Sequence, residues 1–261
     1  MLQRWRDTGL VMPILMTLAM LPVLIGLGTW QWQRLAWKED LIAKIEARTK
    51  AEPVSYTAAL SQYVQKGEAD YVRVSISGTF DHAQERHVYA PTTSAQGWHV
   101  YTLFNPEGGQ PPLFVNRGWV PDTLKDPAKR AEGQIAGPVT ITGLARAPQV
   151  LGTFTPANDV AGNRYYARDL EALRWGAAGQ PRLDQLESMR LAPYAPFSVD
   201  AEAEPANPGG WPKGGTTEIR LPNSHLQYVV TWYGLALTLL SVFIVFARQR
   251  LAAADGTSVQ P

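Results

Sequence analysis

Two long uncharged stretches bracket a middle segment of alternating and irregular polarity. From Leu10 to Trp30 no side chain ionises, and the same holds from Leu226 to Ala247. Each is about the 20 residues that a helix needs to cross a hydrocarbon core of about 30 Å. At roughly −0.3 to −0.6 kcal/mol for each Leu, Ile, Val or Phe, insertion of either stretch is favoured by about 3 to 6 kcal/mol. Residues 10–30 and 226–247 are therefore predicted as transmembrane helices, with 1–9 and 248–261 as short tails on one side and 31–225 on the other. Leu35, Leu41, Ile42 and Ile45 keep helical spacing beyond Trp30, so a helical extension over 31–48 is expected, stopped by Pro53.

The period then changes. Val72, Val74 and Ile76 alternate with Arg73, Ser75 and Ser77, the signature of a half-buried strand. Further strands are expected over Arg86–Ala90, Trp98–Phe104, Leu113–Val120, Val139–Leu144, Phe197–Val199 and Thr216–Leu221, with short helices at Ala167–Trp175 and Asp184–Arg190. Gly- and Pro-rich connections of few residues imply a mainly antiparallel sheet or small barrel, a β-rich core over 49–220. The fold class predicted is a membrane-anchored α+β protein: two transmembrane helices flanking this extramembrane domain.

Composition adds exclusions. The 261 residues contain no Cys, which removes disulfides, thiolate metal sites and cysteine nucleophiles together. The net charge of +1 gives no support for nucleic acid as a partner, whereas the lipid bilayer is implied by the two spans. The basic tails (Arg4 and Arg6; Arg248 and Arg250) mark the cytoplasmic side, while Arg34, Lys38, Lys44 and Arg48 argue the reverse; long domains translocate largely regardless of charge, which favours the tails. The first span exceeds a signal-peptide core and ends in Trp30-Gln31-Trp32, so an uncleaved anchor is expected. An Arg- and Ser-rich presequence is missing, which points to a bacterial inner membrane with the main domain in the periplasm rather than to a mitochondrial inner membrane.

No nucleophile elbow, zincin motif or phosphate loop occurs, so an enzyme is not expected. Asp81, His82, Glu85 and His87 are read as solvated residues of a hairpin turn in preference to a metal cluster, and His99 as a hydrogen-bonded strand histidine. In Asn116-Arg117-Gly118-Trp119, Arg117 and Trp119 suit an anion or a ring, but a bulge at Gly118 and a core Trp119 are the favoured reading. His225 stands roughly 6 Å above Val229, from which the apolar run to Phe246 is counted, at about 1.5 Å per residue. With Tyr228, Val229, Trp232 and Ala236 it shares one helical face, flat and aromatic enough for a porphyrin edge, and neutral imidazole is a common haem-iron ligand. Arg34, leaving the first span on the same membrane side, is placed to meet a propionate. The competing reading is that Asn223 or Ser224 caps the helix and His225 merely fills its first turn.

Several separated motifs, in order, carry a resemblance. They are Gly28-Thr-Trp-Gln-Trp-Gln-Arg34-Leu-Ala-Trp-Lys38, Gly78-Thr-Phe-Asp81, Gly97-Trp-His-Val, Val115-Asn-Arg-Gly-Trp-Val-Pro121, Asp169-Leu, and Asn223-Ser-His-Leu-Gln-Tyr228 with Thr231-Trp-Tyr. Over nearly its whole length the chain resembles the Surfeit locus protein 1 family of cytochrome c oxidase assembly proteins. The resemblance implies a periplasmic or intermembrane-space middle domain, and a role in maturing oxidase subunit I by binding haem A and assisting its insertion, with haem A synthase as a further partner. It also implies that His225 ligates haem iron, and it matches Trp30, Arg34, Arg117, Gly118 and Trp119 without dividing haem contact from fold. The site residues expected are thus His225, Tyr228, Trp232, Arg34, Arg117 and Trp119. The alternative is a protein-binding scaffold that stabilises subunit I or haem synthase without ligating haem.

Overall fold

Alternating burial builds the middle of the chain. The computed structural model describes residues 9–149, 152–176, 194–217, 219 and 222–257. Its contacts divide the chain into two units, Ile45–Ile219 and Met1–Lys44 with Arg220–Pro261.

In the first unit, β1 (Val54–Ser55) and helix α2 (Tyr56–Lys66) precede β2 (Arg73–Tyr89), β3 (Gly97–Pro106), β4 (Leu113–Pro121) and β5 (Val139–Arg146); helix α3 (Leu170–Trp175) and β6 (Ser198–Ala201) follow. Strands pair in the order β1-β2-β3-β4-β6-β5, and β2 also pairs with β5, so β2, β3, β4, β6 and β5 close a ring. The β1–β2 and β4–β6 pairs are parallel and the rest antiparallel. Among the described residues, closure gives every strand of the ring a partner on each side over at least part of its length. Val74, Ile76, Phe104, Leu113, Val115 and Val199 form one core cluster, joined by Tyr56 and Ala59 of α2. A second cluster places Tyr101, Leu103 and Phe114 against Tyr165, Leu170 and Leu173. Each large apolar side chain so buried contributes about 1.5–3 kcal/mol.

α2 was not anticipated, although its stop signals are ordinary. Ser55 Oγ accepts the Ala58 N–H at 3.3 Å, and Gly67 closes the helix in the left-handed region with its N–H on the Tyr63 carbonyl. Two expectations are corrected. Asp81–His87 is not a solvated hairpin turn: β2 runs through it for 17 residues, with an irregularity between Asp81 and Glu85, and Glu85 and His87 are each 5% exposed. The last expected strand is missing at Thr216, Thr217 and Ile219, with 218, 220 and 221 outside the described residues. The expected helix over Asp184–Arg190 also lies outside them.

The second unit contains most of helix α1 (Val11–Lys50) and helix α4 (His225–Thr257), both long and apolar enough to cross a membrane. α4 continues past the predicted end of the span at 247. The shielded positions recur at alternating steps of three and four: Ile14, Thr17, Leu21, Leu24, Gly28, Gln31 and Leu35 on α1, and His225, Val229, Trp232, Ala236, Leu239 and Phe243 on α4. This is the spacing of a packed helix seam. Leu18 and Leu237 stand away from it, more than 60% exposed, as lipid-facing residues do.

Candidate functional site at the paired helices

His225 is the first residue of α4, and its backbone N–H is capped by Asn223 Oδ1 at 3.4 Å. The capping reading is therefore correct for the backbone, and the ring is left for another task. Its Nδ1 lies 2.7 Å from Gln31 Oε1 of α1. An amide oxygen only accepts, so Nδ1 donates, and in the neutral ring Nε2 keeps its lone pair. Among the described residues Nε2 has no hydrogen-bond partner. A histidine that ligates a metal commonly gives its other N–H to a carbonyl in this way, which fixes the tautomer and the ring.

Two turns along α4, Tyr233 meets α1. A Cβ added at Gly28 would come within 3.0–3.2 Å of three Tyr233 ring carbons, and the Tyr233 hydroxyl lies 3.0 Å from Thr29 Oγ1. A small residue on α1 thus admits a ring, and two polar pairs join the helices where the apolar runs end, each worth about 0.6–2 kcal/mol between membrane helices.

Trp232 lies in the shielded line, whereas Tyr228 is 48% exposed beside it. Arg34 is exposed, its guanidinium 4.1 Å from the centre of the Trp37 ring. Gln31 and Gly28 stand within a motif quoted from the sequence but are given no role of their own there. A polar residue between Trp30 and Trp32 was the available signal for Gln31, but its partner is 194 positions away.

Arg117 and Trp119 belong to the barrel unit. Arg117 is 1% exposed; its Nη2 donates to the Gly133 carbonyl and, at 3.0 Å, to Asn207 Oδ1, and the guanidinium lies 4.8 Å from the centre of the Phe80 ring. Burial lowers its pKa to about 10, helped by the Arg130 charge and opposed by Glu85. The opposing bulge is real: His99 faces Trp119 and Tyr101 faces Asn116, so Arg117 and Gly118 stand opposite Val100 alone. Trp119 gives its indole N–H to the Ala90 carbonyl at 2.7 Å, and its ring covers Gly97, where any Cβ would come within 2.3 Å.

The barrel also buries a charged group. Glu85 takes both arms of the Arg130 guanidinium and accepts from His87 Nε2 at 2.9 Å; Arg130 Nε donates to the Leu124 carbonyl at 3.0 Å. Burial alone would raise the Glu85 pKa, but the bonds from His87 and Arg130 and their charges outweigh it and hold it at about 2. Among the described residues no group of three or more His, Cys, Asp or Glu is arranged to hold a metal ion.

A small mixed β-barrel, flanked in sequence by two apolar helices that share a histidine–glutamine pair, defines a membrane-anchored α+β protein. The model of the SURF1 family matches residues 18–237. The chain is 35% identical to Surfeit locus protein 1 of Homo sapiens over 236 residues, covering 84% of this chain and 72% of the human one. It is 34% identical to Surfeit locus protein 1 of Mus musculus (86% and 72% covered) and 33% identical to a SURF1-like protein of Monosiga brevicollis (92% and 88%). The chain belongs to the SURF1 family.

Proposed function

We propose that this protein is an assembly factor for haem-copper cytochrome c oxidase that binds haem A at the mouth of its helix pair and assists its insertion into subunit I. In this reading it sits in a bacterial inner membrane with the barrel in the periplasm, and haem A synthase is a second partner. The observation that carries it is the Gln31–His225 bond, which leaves the imidazole Nε2 free as a ligand. His225 would hold the iron; Trp232 and the exposed Tyr228 would lie against the macrocycle, and Arg34, 4.1 Å from the Trp37 ring centre, is a charged donor for a propionate. Haem A, when bound, is cargo, and its redox chemistry belongs to the oxidase that receives it. A half-buried site at the end of the apolar run suits a ligand that must leave again.

The test is the optical spectrum of the full-length protein purified from cells that make haem A. Wild type is expected to carry haem, and His225→Ala to lose it. Gln31→Leu, which keeps the ligand but frees its ring, should lower affinity about 10- to 100-fold. An unchanged spectrum and stoichiometry in His225→Ala would remove the ligand assignment. Wild type recovered without haem, yet still captured with oxidase subunits, would establish the scaffold reading instead.

A further inference from the structure

The barrel unit contains a cavity of about 690 Å³ on the outer face of β3, β4 and β6, within the range of pockets that hold drug-sized ligands. Its floor is polar and its hydrogen bonds fix which groups remain available. Asn116 Oδ1 accepts the Gly118 N–H at 3.1 Å and its Nδ2 donates to Asp200 Oδ1 at 3.2 Å, so the amide has one orientation. The same Nδ2 also points at His99 Nδ1, 3.3 Å away, and Thr216 Oγ1 stands 3.5 Å from that nitrogen. Nδ1 is therefore the acceptor, and Nε2–H is a donor without a partner among the described residues. Burial pushes the His99 pKa down, and the Arg168 charge adds to this against Asp200 and the Asn116 bond, which favours the neutral ring.

The two arginines of the cavity differ. Arg146 is committed to Asp200 at 3.2 Å and to Asp70 at 3.4 Å. Arg168 gives Nε to the Ala147 carbonyl at 2.9 Å, but forms no salt bridge among the described residues. Asp200 is saturated by Asn116, Arg146 and Thr217. What the floor offers is thus a guanidinium and an imidazole N–H, two donors and one net positive charge. The walls are aromatic: Trp119, its indole N–H already used, and the edge-on pair of Tyr89 and Tyr166, 6.0 Å apart.

We propose that this cavity binds a flat, largely apolar molecule bearing a carboxylate, with the carboxylate on Arg168 and His99 and the flat body among Trp119, Tyr89 and Tyr166. A one-ring acid would leave most of the volume unfilled, so the class is a polycyclic or macrocyclic acid. The site uses no metal ligand, and it stands or falls independently of His225.

The probe is metal-free protoporphyrin IX, a macrocycle with two carboxylates, titrated by fluorescence into the full chain in lipid nanodiscs, with protein-free nanodiscs as the baseline. Saturable binding above the baseline is expected. Arg168→Gln should weaken it at least tenfold, and so should replacing the probe by its dimethyl ester. Thr93→Trp, placed on an exposed loop at the cavity rim, should obstruct entry without touching the core. No binding above the baseline, equal affinity for acid and ester, or wild-type affinity in both cavity variants overturns the proposal. Loss of binding in His225→Ala with the cavity variants silent would also overturn it, by moving the probe to the helix mouth.

Discussion

Arg130→Met is expected to destabilise the barrel unit by about 3–5 kcal/mol, the range seen when one partner of a buried ion pair is removed. The side chains of Arg130 and Glu85 are 1% and 4% exposed, so water cannot replace the lost bonds. The substitution strips Glu85 of both guanidinium contacts and leaves it with His87 alone. It also orphans the Leu124 and Lys125 carbonyls that Arg130 now satisfies. For a domain of this size the melting temperature should fall by roughly 2–4 °C per kcal/mol, so a scan followed by circular dichroism reads the effect directly. Glu85→Gln with Arg130→Met should recover part of the loss, because no charge is then buried unpaired. A melting temperature within a degree or two of wild type would show that the network is dispensable. The pH dependence has the same origin. Glu85 titrates at about 2 in the fold against its ordinary 4.5, so the unfolded chain binds the proton more readily. Its contribution is complete above about pH 4.5 and is lost as the pH falls towards 2. In Arg130→Met that acid limb should become shallower.

That network shows where sequence reading stopped. Alternation of Val72, Val74 and Ile76 sufficed to place the first half of β2, because a strand with one buried face writes its burial into a period of two. The period fails at Asp81–Glu85, where the register shifts, and the polar run that follows reads as a turn. Its polar residues are buried because Arg130, 45 positions on, returns to them, and that pairing has no local signature. The same limit hid Asn207, which lies 90 positions from the Arg117 it holds. At the helix mouth the legible part was larger. His225, Trp232 and Ala236 share a face through local helical geometry, as the spacing implied, while Tyr228, at the margin of that face, is exposed. Gln31 and Gly28 owe their roles to the opposite helix, which no spacing within α1 encodes.

Gly118→Ala should be the most damaging single-methyl change in the barrel. Two costs add. The residue sits at φ +129°, where a Cβ is strained, and a Cβ built there would lie 1.9 Å from the Lys213 carbonyl oxygen and 2.2 Å from its carbon. The clash is with backbone, and a backbone cannot swing aside as a side-chain tip can. The segment it meets is tied down by the Trp119 N–H on the Lys213 carbonyl at 2.8 Å and the Lys213 N–H on the Trp119 carbonyl at 3.0 Å. Asn207 fastens the same segment to the Arg117 carbonyl at 3.2 Å and to the Pro212 carbonyl at 2.6 Å. Making room for the methyl group breaks the first pair of bonds and opens a path for water to Arg117, whose Nε and Nη1 have no hydrogen-bond partner among the described residues. Gly108→Ala separates the two costs, since Gly108 has φ +75° with nothing within 4 Å of its virtual Cβ. It should lose only the conformational penalty of about 1–2 kcal/mol, whereas Gly118→Ala should lose at least twice that, about 3 kcal/mol or more. Urea unfolding of the two variants, followed by tryptophan fluorescence, measures the difference. Equal midpoints would mean that the loop over β4 yields freely and that the close approach at Lys213 does not hold it.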